Sequence, residues 1–200
     1  MAIVNDRPNR LAIEALAPGA KDRILEMGFG PGRALRALAA RAPGGRLFGI
    51  DQSDRMLQQA ARLNQATIAA GRMKLLKGPF SPLAFLDNTF DKILLVNVAY
   101  FFDLAGNDMA EVFRVLCPGG RLALYVTARE TMERWPFSGP DTHRTYDEGE
   151  LQALLRRAGF EPAGVSVRAL TLPFGVRGLL AIAEKSRHPS IGDPGNPAGG

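Results

Sequence analysis

Apolar residues in this chain form short runs, each stopped by glycine, proline or an acidic residue. Between the runs they recur at helical spacing. RILEM, 23–27, halts at Gly28 and predicts a buried strand. GRALRALAARA follows, with Ala34, Leu35, Leu38 and Ala42 on one helical face. RLFGI, 46–50, predicts a second strand ending at Asp51, and Ser53 is placed to cap a helix running to Gly71. Met56, Leu57, Ala60, Leu63, Thr67 and Ile68 share its apolar face. MKLLKG predicts a third strand, and DKILLVNV, apolar almost throughout, a fourth that is covered on both faces.

The second half continues the alternation. Met109, Val112, Phe113 and Leu116 mark a helix stopped by Pro118-Gly119-Gly120, and RLALYVT predicts a fifth strand. A loop rich in proline, glycine and aromatics, ERWPFSGPDTHRTY, comes next. Asp147 and Glu150 then form a capping-box pattern ahead of Leu151, Leu154, Leu155 and Ala158, with Gly159 as the stop. GVSVRAL and RGLLAIAEK predict the last two strands, and one helix, about Asn9 to Leu16, precedes the first. Residues 186–200 are rich in Pro and Gly and predict a disordered tail, which leaves 1–185 as a single domain. Alternating strands and helices imply an open α/β sheet with helices on both faces. In such sheets ligands bind beyond the carboxyl ends of the strands, near the topological switch point.

The first strand-to-helix turn carries the most chemical information. ILEMGFGPG places Gly28, Gly30 and Gly32 in one turn, where glycine permits positive φ and close approach of a ligand to the backbone. The dinucleotide fingerprint is G-x-G-x-x-G; here the spacing is G-x-G-x-G, with Pro31 suited to the first helical turn. Glu26, at the end of the strand, would repel a pyrophosphate and suits a ligand carrying an ammonium group. Asp51, at the end of the next strand, can accept both hydroxyls of a ribose, or serve only as a helix cap. A ribose and a cation together point to S-adenosylmethionine.

Composition narrows the classes further. Two hundred residues, 46% hydrophobic and 22% charged, suit one globular domain. The net charge of +5 opens the question of a nucleic-acid partner. The arginines, such as Arg33, Arg36 and Arg41, are scattered without interleaved aromatics, so a solvated basic surface is the simpler reading and nucleic acid is disfavoured. Cys117 is the single cysteine, which excludes an internal disulfide and a cysteine-based zinc cluster; no metal-ligand spacing and no nucleophile elbow is present. No apolar run approaches the ~20 residues of a membrane span. The segment MAIVNDRPNR lacks the apolar region of a signal peptide, so a cytoplasmic location is expected.

ILEMGFGPG, LFGIDQS, LAFLDNTFDKILLVNV and LCPGGRLAL resemble, in order and spacing, the successive motifs of class I S-adenosylmethionine-dependent methyltransferases. The nearest likeness is to the small-molecule branch that includes the ubiquinone/menaquinone C-methyltransferases, over about residues 20 to 185. The resemblance implies a Rossmann-like, mostly parallel seven-stranded sheet whose last strand is antiparallel. It implies that the backbone at Gly28, Phe29, Gly30 and Gly32 faces the methionine part of the cofactor, with Glu26 holding the turn or the ammonium. Asp51 would take the ribose, Gln52 and Met56 would border the adenine, Gly78, Pro79 and Phe80 its other face, and the Asn97 carbonyl would meet the amino group. Two positions depart from the pattern. Pro79 stands where an aspartate often contacts adenine, and Cys117 stands where a Lys or Arg is usual.

Methyl transfer from a sulfonium needs placement and a dry site, and a base only if the acceptor must lose a proton. Tyr100, His143 and Tyr146 are the catalytic candidates, among the acceptor-side choices Phe101, Asp103 and Trp135. NVAY lacks the prolines of the N-P-P-Y motif of amino-methylating enzymes on nucleic acids. The expectation is a methyltransferase acting on a small molecule, as a monomer or homodimer. Its rivals are an RNA or protein methyltransferase and a binder of S-adenosylmethionine that transfers nothing.

Overall fold

Hydrogen bonds join the predicted strands into one sheet in the computed structural model, which describes residues 6–135 and 144–187. The strands are β1 (Arg23–Met27), β2 (Arg46–Asp51), β3 (Met73–Lys77), β4 (Phe90–Val96), β5 (Leu116–Thr127), β6 (Val165–Thr171) and β7 (Arg177–Glu184). Their order across the sheet is β3-β2-β1-β4-β5-β7-β6. β7 runs antiparallel to both neighbours, and the pairings among β1 to β5 are parallel, as the resemblance implies. The order reverses between β1 and β4, so the switch point lies where the glycine turn leaves the sheet.

The helices are α1 (Asp6–Leu16), α2 (Arg33–Arg41), α3 (Asp54–Leu63), α4 (Gln65–Ala69), α5 (Asn107–Val115), α6 (Arg129–Met132) and α7 (Glu148–Arg157). Side-chain alternation along the strands builds a core on each face. Leu25, Ile93, Leu95, Leu122 and Leu124 pack with Met109 and Val112 of α5 and Leu151, Leu154 and Leu155 of α7. Ile24, Leu47, Leu94 and Ala123 pack with Ile13 and Leu16 of α1 and Leu35 and Leu38 of α2. The strands at the centre are therefore apolar on both sides, which is why their sequences do not alternate. The capping box of α7 is complete: Glu150 N donates to Asp147 Oδ1 (2.9 Å) and Asp147 N to Glu150 Oε2 (3.0 Å).

Several boundaries differ from the sequence reading. The helix expected from Ser53 to Gly71 breaks at Asn64. Its buried amide donates to Ala60 O (2.9 Å) and to Gly32 O (3.1 Å), ending α3 and anchoring the glycine turn to it. α1 begins at Asp6 rather than near Asn9, and Leu116 opens β5 rather than closing α5. The short helix α6 precedes the loop expected after β5. The tail expected from Ser186 lies, beyond Arg187, outside the described residues. Among the described residues no helix is long and apolar enough to cross a membrane.

Candidate active site

Each glycine of the turn has its own reason. All three adopt positive φ: 67° at Gly28, 51° at Gly30 and 80° at Gly32. A Cβ at Gly28 would sit 2.4 Å from Val98 Cγ2, so this glycine lets the loops after β1 and β4 meet. A Cβ at Gly32 would sit 2.7 Å from Ala60 Cβ, which turns Gly32 toward α3. A Cβ at Gly30 would meet nothing within 4 Å. Steric demand thus explains the outer two glycines, and the middle one borders open space.

Asp51 ties this turn to β2. Its Oδ2 accepts from Gly30 N (3.0 Å) and its Oδ1 from Ser53 N (2.9 Å). The Phe29 side chain is buried in the core beside Gly49, leaving only its backbone toward the turn. Glu26 shares its strand face with Ile24 and is 3% exposed. Burial pushes its carboxyl well above the usual carboxylate range; the Asp51 charge adds to this and a backbone hydrogen bond at Leu35 opposes it. Among the described residues Glu26 Oε2 has no hydrogen-bond partner.

The loop after β4 forms the opposite wall. Asn97 takes φ 54°, a left-handed conformation that asparagine tolerates better than most residues. Its N donates to Tyr125 O (2.8 Å). A 3-10 turn over Ala99–Phe101 follows. The Phe80 ring lies 5.8 Å from that of Phe102. Arg114 of α5 holds the loop carrying Phe80, donating to Leu83 O (3.1 Å) and Phe85 O (2.8 Å), while Glu111 accepts from Leu83 N (2.6 Å). These walls enclose a cleft of about 340 Å³ lined by Gly28, Asp51, Gln52, Ser53, Phe80, Asn97, Val98 and Phe101. Asp51 is the one ionisable side chain among these.

The predicted residues divide accordingly. Gly28, Asp51, Gln52, Phe80 and Asn97 come together at the cleft. Met56 packs half-buried against the α1–α2 core, Gly78 rests on Ile50, and Pro79 is exposed beside them. Tyr100 and Tyr146 are buried, and their hydroxyls bond within the protein. Asp103 caps α5 through the amides of Gly106, Asn107 and Asp108. His143 lies outside the described residues. Ser53, expected as a helix cap, and Val98, an apolar residue of the NVAY segment with no signal of its own, also line the cleft.

Residues 25–124 match the model of the methyltransferase domain, half of the chain. The chain belongs to this family. It is an S-adenosylmethionine-dependent methyltransferase, with S-adenosylmethionine as its cofactor. It is 27% identical to the uncharacterized methyltransferase YdaC of Bacillus subtilis over 84% of this chain and 87% of that protein. It is 30% identical to the ubiquinone/menaquinone biosynthesis C-methyltransferase UbiE of Geotalea daltonii, over 58% of this chain and 49% of that one. In fold it is similar to the 1,6-didemethyltoxoflavin-N1-methyltransferase of Burkholderia thailandensis, with a TM-score of 0.74, 24% identity, and 92% and 81% of the two chains covered. The methyltransferase thus spans most of YdaC and about half of UbiE.

Proposed function

We propose that this methyltransferase acts on a small molecule whose reacting part is planar or largely apolar. The observation that carries this is the apolar side of the cleft formed by Val98 and Phe101 in the loop after β4, with Phe101 56% exposed at its rim. One relative is by name a ubiquinone/menaquinone biosynthesis C-methyltransferase, and one structural neighbour holds 1,6-didemethyltoxoflavin; both names support a small acceptor.

The cofactor is read as lying along the glycine turn, and the donor set fits it. Each Asp51 oxygen has accepted one amide and keeps a further lone pair for a ribose hydroxyl. Glu26 offers an unpartnered buried oxygen beneath the turn, and no Lys or Arg lines the cleft among the described residues, as suits a ligand with ammonium and sulfonium groups. Gly30 leaves room for close approach. Gln52 and Phe80 are assigned to the adenine side and Asn97 to the methionine side. The sulfonium supplies an electrophilic methyl group; the chain holds the acceptor in line and excludes water. Burial pushes the Tyr146 hydroxyl up to about 12 and the Tyr100 hydroxyl higher still, so neither suits a base at neutral pH. His143 is the remaining candidate, needed only for an acceptor that must lose a proton.

Tritiated-methyl S-adenosylmethionine, incubated with the protein and a cell extract, tests this reading. Label in the low-mass, organic-extractable fraction is expected. Label confined to acid-precipitated RNA or protein would overturn it.

A further inference from the structure

The Tyr100 side chain reaches away from solvent and joins the ends of two strands. Its hydroxyl donates to Asn97 Oδ1 (2.8 Å), one residue beyond β4, and accepts from Thr127 N, the last residue of β5. Tyr100 is 7% exposed. The turn that carries it is fixed from the far side of the loop after β5. Arg144 N donates to Tyr100 O (3.1 Å), and the Tyr146 hydroxyl donates to Ala99 O (2.9 Å). The Arg144 guanidinium lies 5.3 Å from the centre of the Tyr146 ring. Arg129, at the start of that loop, closes the frame: its N donates to Tyr146 O (2.9 Å) and its Nε to Thr145 Oγ1 (3.1 Å).

Asn97 needs such support. It lines the cleft in a left-handed conformation, which costs asparagine less than other side chains but leaves the direction of its amide to be set by its surroundings. Its backbone is held by the bond to Tyr125 O, and its side chain accepts from Tyr100. We propose that Tyr100 is a positioning residue: its hydroxyl sets Asn97 at the cofactor wall and couples that wall to the Arg144–Tyr146 segment. The inference rests on the reading of the cleft as the cofactor site. It gives the buried tyrosine a function without asking it to exchange a proton.

A double-mutant cycle tests the coupling, with S-adenosylhomocysteine as the probe and calorimetry as the measurement. Tyr100→Phe keeps the ring and removes the hydroxyl. Asn97→Gly removes the acceptor and keeps the left-handed backbone accessible. Each change is expected to weaken binding five- to twentyfold. The double variant is expected to lie within twofold of the weaker single variant, because both remove one contact. Thr89→Val, which loses a hydroxyl bonded to Leu86 O at the opposite end of β4, is the control and is expected to stay within twofold of the unchanged protein. Circular dichroism keeps every comparison below the melting transition. Losses that multiply in the double variant, or a Tyr100→Phe protein that binds as the unchanged one does, would overturn the inference. An unchanged protein that does not bind the probe would instead overturn the cofactor reading beneath it.

Discussion

Replacing each glycine of the turn by alanine should separate stability from affinity. At Gly28 the new methyl would lie 2.4 Å from Val98 Cγ2 and 2.8 Å from its Cβ, far inside contact distance. Overpacking of this kind costs about 1–3 kcal/mol, and a left-handed alanine about 1–2 kcal/mol more. The sum, about 2–5 kcal/mol, corresponds to a melting point lower by roughly 4–20 °C in a domain of this size. At Gly32 the methyl would meet Ala60 Cβ at 2.7 Å and Ala60 Cα at 2.9 Å, so a similar loss is expected. At Gly30 nothing lies within 4 Å and only the conformational term remains, about 1–2 kcal/mol or roughly 2–8 °C. Gly30→Ala should nevertheless weaken S-adenosylhomocysteine at least tenfold, about 1.4 kcal/mol, because the methyl enters the space assigned to the cofactor. Thermal melts without ligand and calorimetry with it measure the two effects separately. The reasoning is refuted if Gly30→Ala melts as low as Gly28→Ala, or binds as tightly as the unchanged protein.

Asp51→Asn should weaken S-adenosylhomocysteine at least tenfold by removing charge-assisted acceptors worth about 1.5–3 kcal/mol each; an unchanged dissociation constant in calorimetry would leave Asp51 as a loop anchor alone. Glu26→Gln should stabilise the ligand-free protein at neutral pH. The raised native pKa of Glu26 means that its favourable contribution is complete below the ordinary carboxylate range and is lost as pH rises through the native value. The melting-point gain of Glu26→Gln should therefore grow with pH while cofactor affinity falls, and a gain independent of pH would contradict this. Glu111 has the opposite sign. Hydrogen bonding to Arg114 lowers its pKa against the effect of burial, so its stabilisation is present above the ordinary range and lost on acidification. The melting-point deficit of Glu111→Gln should then be large at pH 7 and vanish as pH falls below the native value.

The strands and the glycine turn were legible because their signals are local. A strand buried on both faces reads as a continuous apolar run, as at Ile93–Leu95, and the G-x-G-x-G spacing lies within one turn. The capping box of α7 needs only Asp147 and Glu150. Features made by distant partners were not legible. The break at Asn64 depends on Gly32 O, 32 residues away, and the hold of Arg114 on the loop before β4 spans about thirty residues. Gly32 looked like its two neighbours in sequence, yet packing against Ala60 explains it. Tyr100 and Tyr146 looked like acceptor-site residues because they flank the right loops, but burial turned their hydroxyls inward.

Amide hydrogen exchange, with and without S-adenosylhomocysteine, tests most directly where the cofactor lies. Slower exchange is predicted in the glycine turn at Gly28–Gly30, at Gln52 and Ser53 after β2, near Phe80, and across Asn97–Phe101. The groove between α1 and α2, lined by Asn9, Arg10, Arg33 and Arg41, should exchange as before. Protection in that groove, with the glycine turn and the loop after β4 unchanged, would contradict the account.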